Sequence, residues 1–157
     1  MTDNVRRVVT GHDEDGKAIV TIDEIVSNVS HLRPGHSAAT IWMTDAMPVE
    51  NMDPADGGKR RGAPPKNGSV FRITTYQPGM ASRFHRSQVF EYAVVLSGEV
   101  ELVLEGSSVL LKAGDTLVQR GTMHDWINHG PAPCVMAIIN MDALPIKIGD
   151  LILGPEG

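Results

Sequence analysis

A chain of 157 residues, 41% of them hydrophobic, has enough apolar material for one buried core and excludes wholesale disorder. Its formal charge of −5 and pI of about 5.6 argue against nucleic acid as the main partner, because phosphate binding needs a basic surface. No apolar run approaches the roughly 20 residues of a membrane-spanning helix, so the expectation is no membrane partner and a cytoplasmic location.

The opening segment, MTDNVRRVVTGHDEDGK, lacks the apolar stretch a signal peptide needs. Ala18–Val26 (AIVTIDEIV) and Ala38–Met43 (AATIWM) are apolar, rich in β-branched residues, and read as strands. His31 and His36 bracket LRPG and read as loop, and His12 reads as surface. Between Thr44 and Asn67, Pro, Gly, Asp, Lys and Arg follow no period, which predicts a long loop of the lid or disordered kind. Within it, Lys59-Arg60-Arg61 reads as a solvated run rather than an anion site.

From Ser69 the pattern tightens. SVFRITTY, VFEYAVVL, EVELVLE, SVLLK, DTLVQ, TMHDWIN and PCVMAIINM follow one another, separated by Gly- and Pro-containing turns. In Glu99–Glu105, Val100, Leu102 and Leu104 alternate with glutamates, so the segment is a strand with one face buried. No amphipathic helix of convincing length appears. With only 4% aromatics, the core of this all-β, antiparallel barrel or sandwich must be packed by Val, Ile, Leu and Met. The one cysteine, Cys134, excludes an internal disulfide and sits in the apolar run CVMAII as a small hydrophobe. The terminal IKIGDLIL reads as one more strand or a short docking segment.

The chemistry-bearing residues gather in two places. His85 and Glu91 are six residues apart, an even number that puts both on one face of a regular strand. On a straight strand they would stand ~20 Å apart, so a bend must intervene if they are to share a site. In TMHDWIN, parity groups Thr122, His124, Trp126 and Asn128. An inward His124 would have an aromatic wall in Trp126 and a polar corner in Asn128, as a small-molecule pocket requires. Tyr92 should face away from Glu91, and Arg83 and Arg86, which flank His85 and could steer an anionic substrate, read more simply as exposed charges.

These two places carry a family resemblance. Gly79, His85, Glu91 and Gly98 resemble the first cupin motif at its spacing, with Ser87 where the second histidine of HxH stands. Gly114, Gly121, His124 and Asn128 resemble the second motif. There the usual proline is absent, Gln119-Arg120 leads into Gly121, and the interval is one residue short. The RRVVTGH start and the QRGTMHDW run are similar to those of a subgroup of small cupins. The resemblance implies a single-domain cupin β-barrel, an antiparallel jelly roll over residues 1–157, with its conserved core at about 69–141 and a long loop at 44–67.

In metal-binding cupins the motif histidines and glutamate hold the ion, so the resemblance makes His85, Glu91 and His124 candidate ligands for one divalent metal (Fe, Mn, Ni or Zn). Ser87 cannot supply the missing imidazole, but two histidines and one carboxylate still form an acceptable set. Glu91 and His124 are the candidate catalytic residues; Ser87, Trp126 and Asn128 are candidates to line the substrate pocket. Other cupins lack a metal, and there Glu91 would serve as a general base of raised pKa. The expected function is an enzyme of lyase, decarboxylase, isomerase or cyclase type acting on a small oxygenated molecule. The alternatives are an Fe(II) dioxygenase or a ligand-binding cupin without turnover, and a homodimer is the expected assembly.

Overall fold

Residues 4–157 are described by a computed structural model; the first three residues of the opening segment lie outside them. Arg6–His12 (β1) and Ala18–Ile25 (β2) pair as an antiparallel hairpin. Six strands form the larger sheet: Val29–Arg33 (β3), His36–Thr44 (β4), Ser69–Tyr76 (β5), Val89–Ser97 (β6), Thr116–Arg120 (β9) and Cys134–Asp142 (β11). Their spatial order is β3-β4-β5-β11-β6-β9. The facing sheet holds Glu99–Leu104 (β7), Ser108–Lys112 (β8) and His124–Ile127 (β10) in the order β10-β7-β8. Ile146–Ile148 (β12) and Leu151–Leu153 (β13) make a final short hairpin, where one strand or a docking segment was expected. Every pairing is antiparallel, as a jelly roll requires.

Side-chain alternation explains why the two sheets face each other. On β6, Glu91, Ala93 and Val95 are buried while Tyr92, Val94 and Leu96 are exposed. On β7, Val100 and Leu102 are buried while Glu99, Glu101 and Val103 are more exposed. These inner rows meet Tyr76, Leu111, Trp126, Cys134, Met136 and Ile138 in one core drawn from both sheets, where each fully buried aliphatic side chain contributes about 1.5–3 kcal/mol. Cys134 is buried in that core and its thiol is pushed up to about 11 by burial, consistent with packing rather than nucleophilic chemistry. The turn from β6 to β7 depends on Gly98: its φ is +74°, and a Cβ there would lie 2.4 Å from the Pro133 carbonyl oxygen.

The structure departs from the sequence reading in its first third. His31 and His36 lie on β3 and β4, flanking a tight turn, rather than in a loop. The segment between β4 and β5 is long but tied down. Its 3-10 turn, Gly57–Lys59, is capped by the Asp56 side chain, and Asn28 donates to the carbonyls of Gly58 and Arg60 at 2.8 Å each. Arg60 of the basic run is paired with Asp45 at 2.6 Å. Arg7 of β1 reaches across to Asp56 (2.6 Å) and Glu24 (2.7 Å), so an ionic strap ties the hairpin to the loop, and Nη1 of Arg7 donates to the Ile41 carbonyl of the large sheet.

Candidate functional site

The bend demanded by the His85–Glu91 spacing exists. His85 stands ahead of β6 and pairs with His124, each backbone N–H donating to the other's carbonyl at 2.9 Å. That bridge extends the smaller sheet and sets the two imidazoles side by side, their centroids 4.5 Å apart. The loop carrying His85 is latched from beneath by Asp125, whose buried carboxylate accepts hydrogen bonds from the Ser82 hydroxyl, the Arg83 backbone N–H and the Trp126 N–H.

Hydrogen bonding assigns the ring nitrogens. Nδ1 of His85 lies 2.9 Å from the Arg83 carbonyl, and Nδ1 of His124 lies 2.9 Å from the Thr122 carbonyl. A carbonyl can only accept, so each Nδ1 carries the proton and each Nε2 the lone pair. Burial keeps both rings neutral. It brings His124 down to about 4 and lowers His85, with nearby positive charge adding to the effect. His36 also lines the cavity and is held down to about 4 by burial and by Arg33, Arg72 and Arg83.

Glu91 occupies a different row. Strand register sets it beside Gln119 on β9 and Asn140 on β11, so three polar side chains stand abreast on the inner face. Its Oε2 accepts from Asn140 at 2.5 Å, while Oε1 is buried and unpaired. Burial pushes its pKa up to about 7, against the lowering effects of Asn140 and Arg72. Gln119 links the rows: its Nε2 lies 3.2 Å from Nε2 of His124.

These residues wall a cavity of about 390 Å³. His85, Ser87, Glu91, His124 and Trp126 all line it, and Trp126 stands edge-on to His124 at 6.0 Å. Asn128 does not. Its amide donates to the Tyr76 and Ala132 carbonyls and accepts from Gly130 N–H, so this residue, expected as a pocket corner, holds loops together instead. Of the two flanking arginines, Arg83 is exposed at the cavity, whereas Arg86 is buried and faces Glu156 at 3.6 Å, contrary to the expectation that both are solvated.

The metal-ligand expectation has a geometric test. Among the described residues, no group of three or more His, Cys, Asp or Glu side chains is placed to hold an ion. The imidazoles stand side by side, but the Glu91 carboxyl lies in a different row, beside Gln119 and Asn140. As arranged, these three side chains line one cavity without converging on a common ion position.

Sequence reasoning missed Arg33, His36, Arg72, Tyr76, Gln119 and Asn140, all of which line the cavity. Part of the signal was present. Arg72 shares parity with Val70, Thr74 and Tyr76 in SVFRITTY, and Asn140 with Met136 and Ile138, so each is a polar residue on an inward row. Arg33 and His36 carried no such mark, because only the β3–β4 turn brings them to the cavity.

Fold and site together define a small β-sandwich with a polar pocket between its sheets, and comparison with known proteins agrees. A family model for the cupin domain matches residues 72–140. Phomopsin biosynthesis cluster protein C' of Diaporthe leptostromiformis is 35% identical over 158 residues, spanning 94% of this chain and 84% of that protein. Cupin-domain-containing oxidoreductase virC of Hypocrea virens is 33% identical, spanning 92% and 79%. The structure of KdgF from Halomonas sp. shares the fold, with a TM-score of 0.51 at 18% identity over 73% of this chain and 87% of that one. The chain belongs to the cupin family.

Proposed function

We propose that this cupin is an enzyme that binds a small oxygenated organic molecule in the cavity and moves a proton on it, in chemistry of the lyase, isomerase or cyclase type. The observation that carries this reading is Glu91: a buried carboxyl on the cavity wall, with one oxygen bonded to Asn140 and the other unpaired. A carboxyl poised at about 7 takes and returns a proton at neutral pH with little driving-force penalty. Of the two neutral imidazoles, fixed by their Nδ1 bonds, His85 offers its Nε2 lone pair to a substrate hydroxyl, while Nε2 of His124 accepts from the Gln119 amide. Trp126 and Ile138 give the cavity an apolar wall.

The experiment is deuterium exchange. Enolisable oxo acids and hydroxy acids are incubated with the protein in D2O and followed by NMR. The expectation is exchange or conversion of at least one compound, reduced about 100-fold or more in Glu91→Gln. Full activity in that variant would remove Glu91 from the chemistry.

The name oxidoreductase borne by relatives such as virC supports a second, redox reading. Under that reading His85, His124 and Glu91 are the residues that would hold a divalent ion, and they would have to draw closer together than this arrangement places them. Near-stoichiometric metal in protein purified without chelators, lost in His85→Ala and His124→Ala, together with dioxygen uptake, would favour that reading over proton transfer alone.

A further inference from the structure

We propose that the cavity takes the carboxylate of a small organic acid, held by Arg33, Arg72 and Arg83. This rests on the reading of the cavity as the substrate site and adds the substrate's charge and class.

The arginines of this chain differ in whether they have counter-ions. Among the described residues, five arginines are withdrawn from water wholly or in part: Arg7, Arg33, Arg60, Arg72 and Arg86. Arg7, Arg60 and Arg86 each face a carboxylate side chain within 4.0 Å. Arg33 and Arg72 face none, and both line the cavity. In each of them Nε is buried without a hydrogen-bond acceptor. Arg83, exposed at the same cavity, spends one Nη2 bond on the Gly157 carbonyl at 3.3 Å, and Arg72 donates Nη2 to the Gly62 carbonyl. Neither bond neutralises charge.

A guanidinium held partly out of water without a counter-ion is costly, so such an arrangement is expected where a ligand supplies the charge. Glu91 does not fill that role. It lies beyond ion-pair distance of all three arginines, its Oε2 is taken by Asn140, and its burial favours the neutral form. The histidines of the lining are neutral as well. A chain of net charge −5 therefore presents a locally positive cavity.

Two features narrow the ligand. The Nε–Nη2 edge of a guanidinium matches the two coplanar oxygens of a carboxylate. The lining has no helix N-terminus of the sort that phosphate esters use. Val89, Trp126 and Ile138 also line the cavity and provide apolar wall for a carbon body.

The test is calorimetric titration with benzoate, benzamide, hexanoate, hexanamide and phenyl phosphate. At least one acid should bind about tenfold or more tightly than its own amide. Arg33→Gln and Arg72→Gln should each weaken that acid about tenfold and leave the amide unchanged, and Arg83→Gln, at an exposed position, should weaken it less. The acid–amide comparison needs no variant, so a folding defect cannot obscure it. Acids binding no more tightly than amides, acid–amide selectivity surviving both the Arg33 and the Arg72 substitution, or phenyl phosphate outbinding both acids would each overturn the proposal. Arginine-dependent binding with undiminished exchange in Glu91→Gln would sink only the proton-transfer reading. Glu91-dependent exchange without anion selectivity would sink only this one.

Discussion

Two arginine sites in this molecule are built on opposite principles. At the strap joining the first hairpin to the long loop, Arg7 is 4% exposed and grips two carboxylates, Asp56 and Glu24, while also donating to the Ile41 carbonyl. At the cavity, Arg33 and Arg72 have no carboxylate and keep unpartnered Nε atoms. The first is charge used to hold chain segments together: every donor is answered within the protein, and the paired groups shift accordingly, with Asp56 drawn below its ordinary 3.8 by Arg7. The second is charge left open, beside a carboxyl pushed up to about 7 and imidazoles pushed down to about 4. Closed networks support structure, and open ones mark where something else binds.

The comparison can be broken by substitution. Arg7→Ala, which leaves Asp56 and Glu24 without their cation, should cost about 3 kcal/mol, a fall in Tm of roughly 10 °C. Arg72→Gln should cost under about 1 kcal/mol or even stabilise, since it relieves an unmatched charge. Thermal denaturation of the two variants checks both, and equal losses would erase the distinction drawn here.

The pH dependences contributed by Glu91 at the cavity and Asp56 at the strap should run in opposite directions. Glu91 is easier to protonate in the folded than in the unfolded chain. It therefore costs nothing below its unfolded value of 4.5, and stability is lost as pH rises from there through about 7, by up to about 3 kcal/mol. Glu91→Gln removes that dependence, so its Tm should gain on the wild type across this window. Asp56 behaves oppositely: its contribution is full above 3.8 and is lost as pH falls through its lower folded value. His36 and His124 add a second acid-side loss, because the unfolded chain takes their protons from about 6.5 downward while the folded rings resist until about 4. A wild-type minus Glu91→Gln difference that stayed flat between pH 4.5 and 7 would contradict the neutral buried carboxyl.

A smaller effect separates holding a loop from holding a ligand. Asp125→Ala removes the acceptor for Ser82, Arg83 and Trp126 and should cost about 2 kcal/mol. It should also speed hydrogen exchange at the Arg83 amide while leaving that of Arg72, inside β5, unchanged. If both amides accelerate alike, Asp125 is a general stabiliser rather than a latch for the His85 loop.

Legibility from sequence followed local periodicity. β5 and β8 emerged with their full bounds, because alternation and bounding turns are written within a few residues of each other. β1 and β3 were not anticipated. Their side chains are mostly exposed or half-exposed, so no apolar period announces them. His85, Glu91 and His124 stood out through motif spacing, and the structure does bring all three to one cavity. Asn128 shared the parity of His124 but points its amide at the Tyr76 carbonyl, because parity sets a face and not a partner.

By itself the sequence determined the all-β class, the alternating inner rows and the residues worth testing, since these depend only on neighbours along the chain. Tertiary structure alone decided that Arg33 and His36 join the cavity, that Glu91 bonds to Asn140 on another strand, and which arginines are left without a carboxylate. Each of those facts is a contact between strands distant in the chain, and no local period encodes which groups will end up beside one another or how much water remains between them.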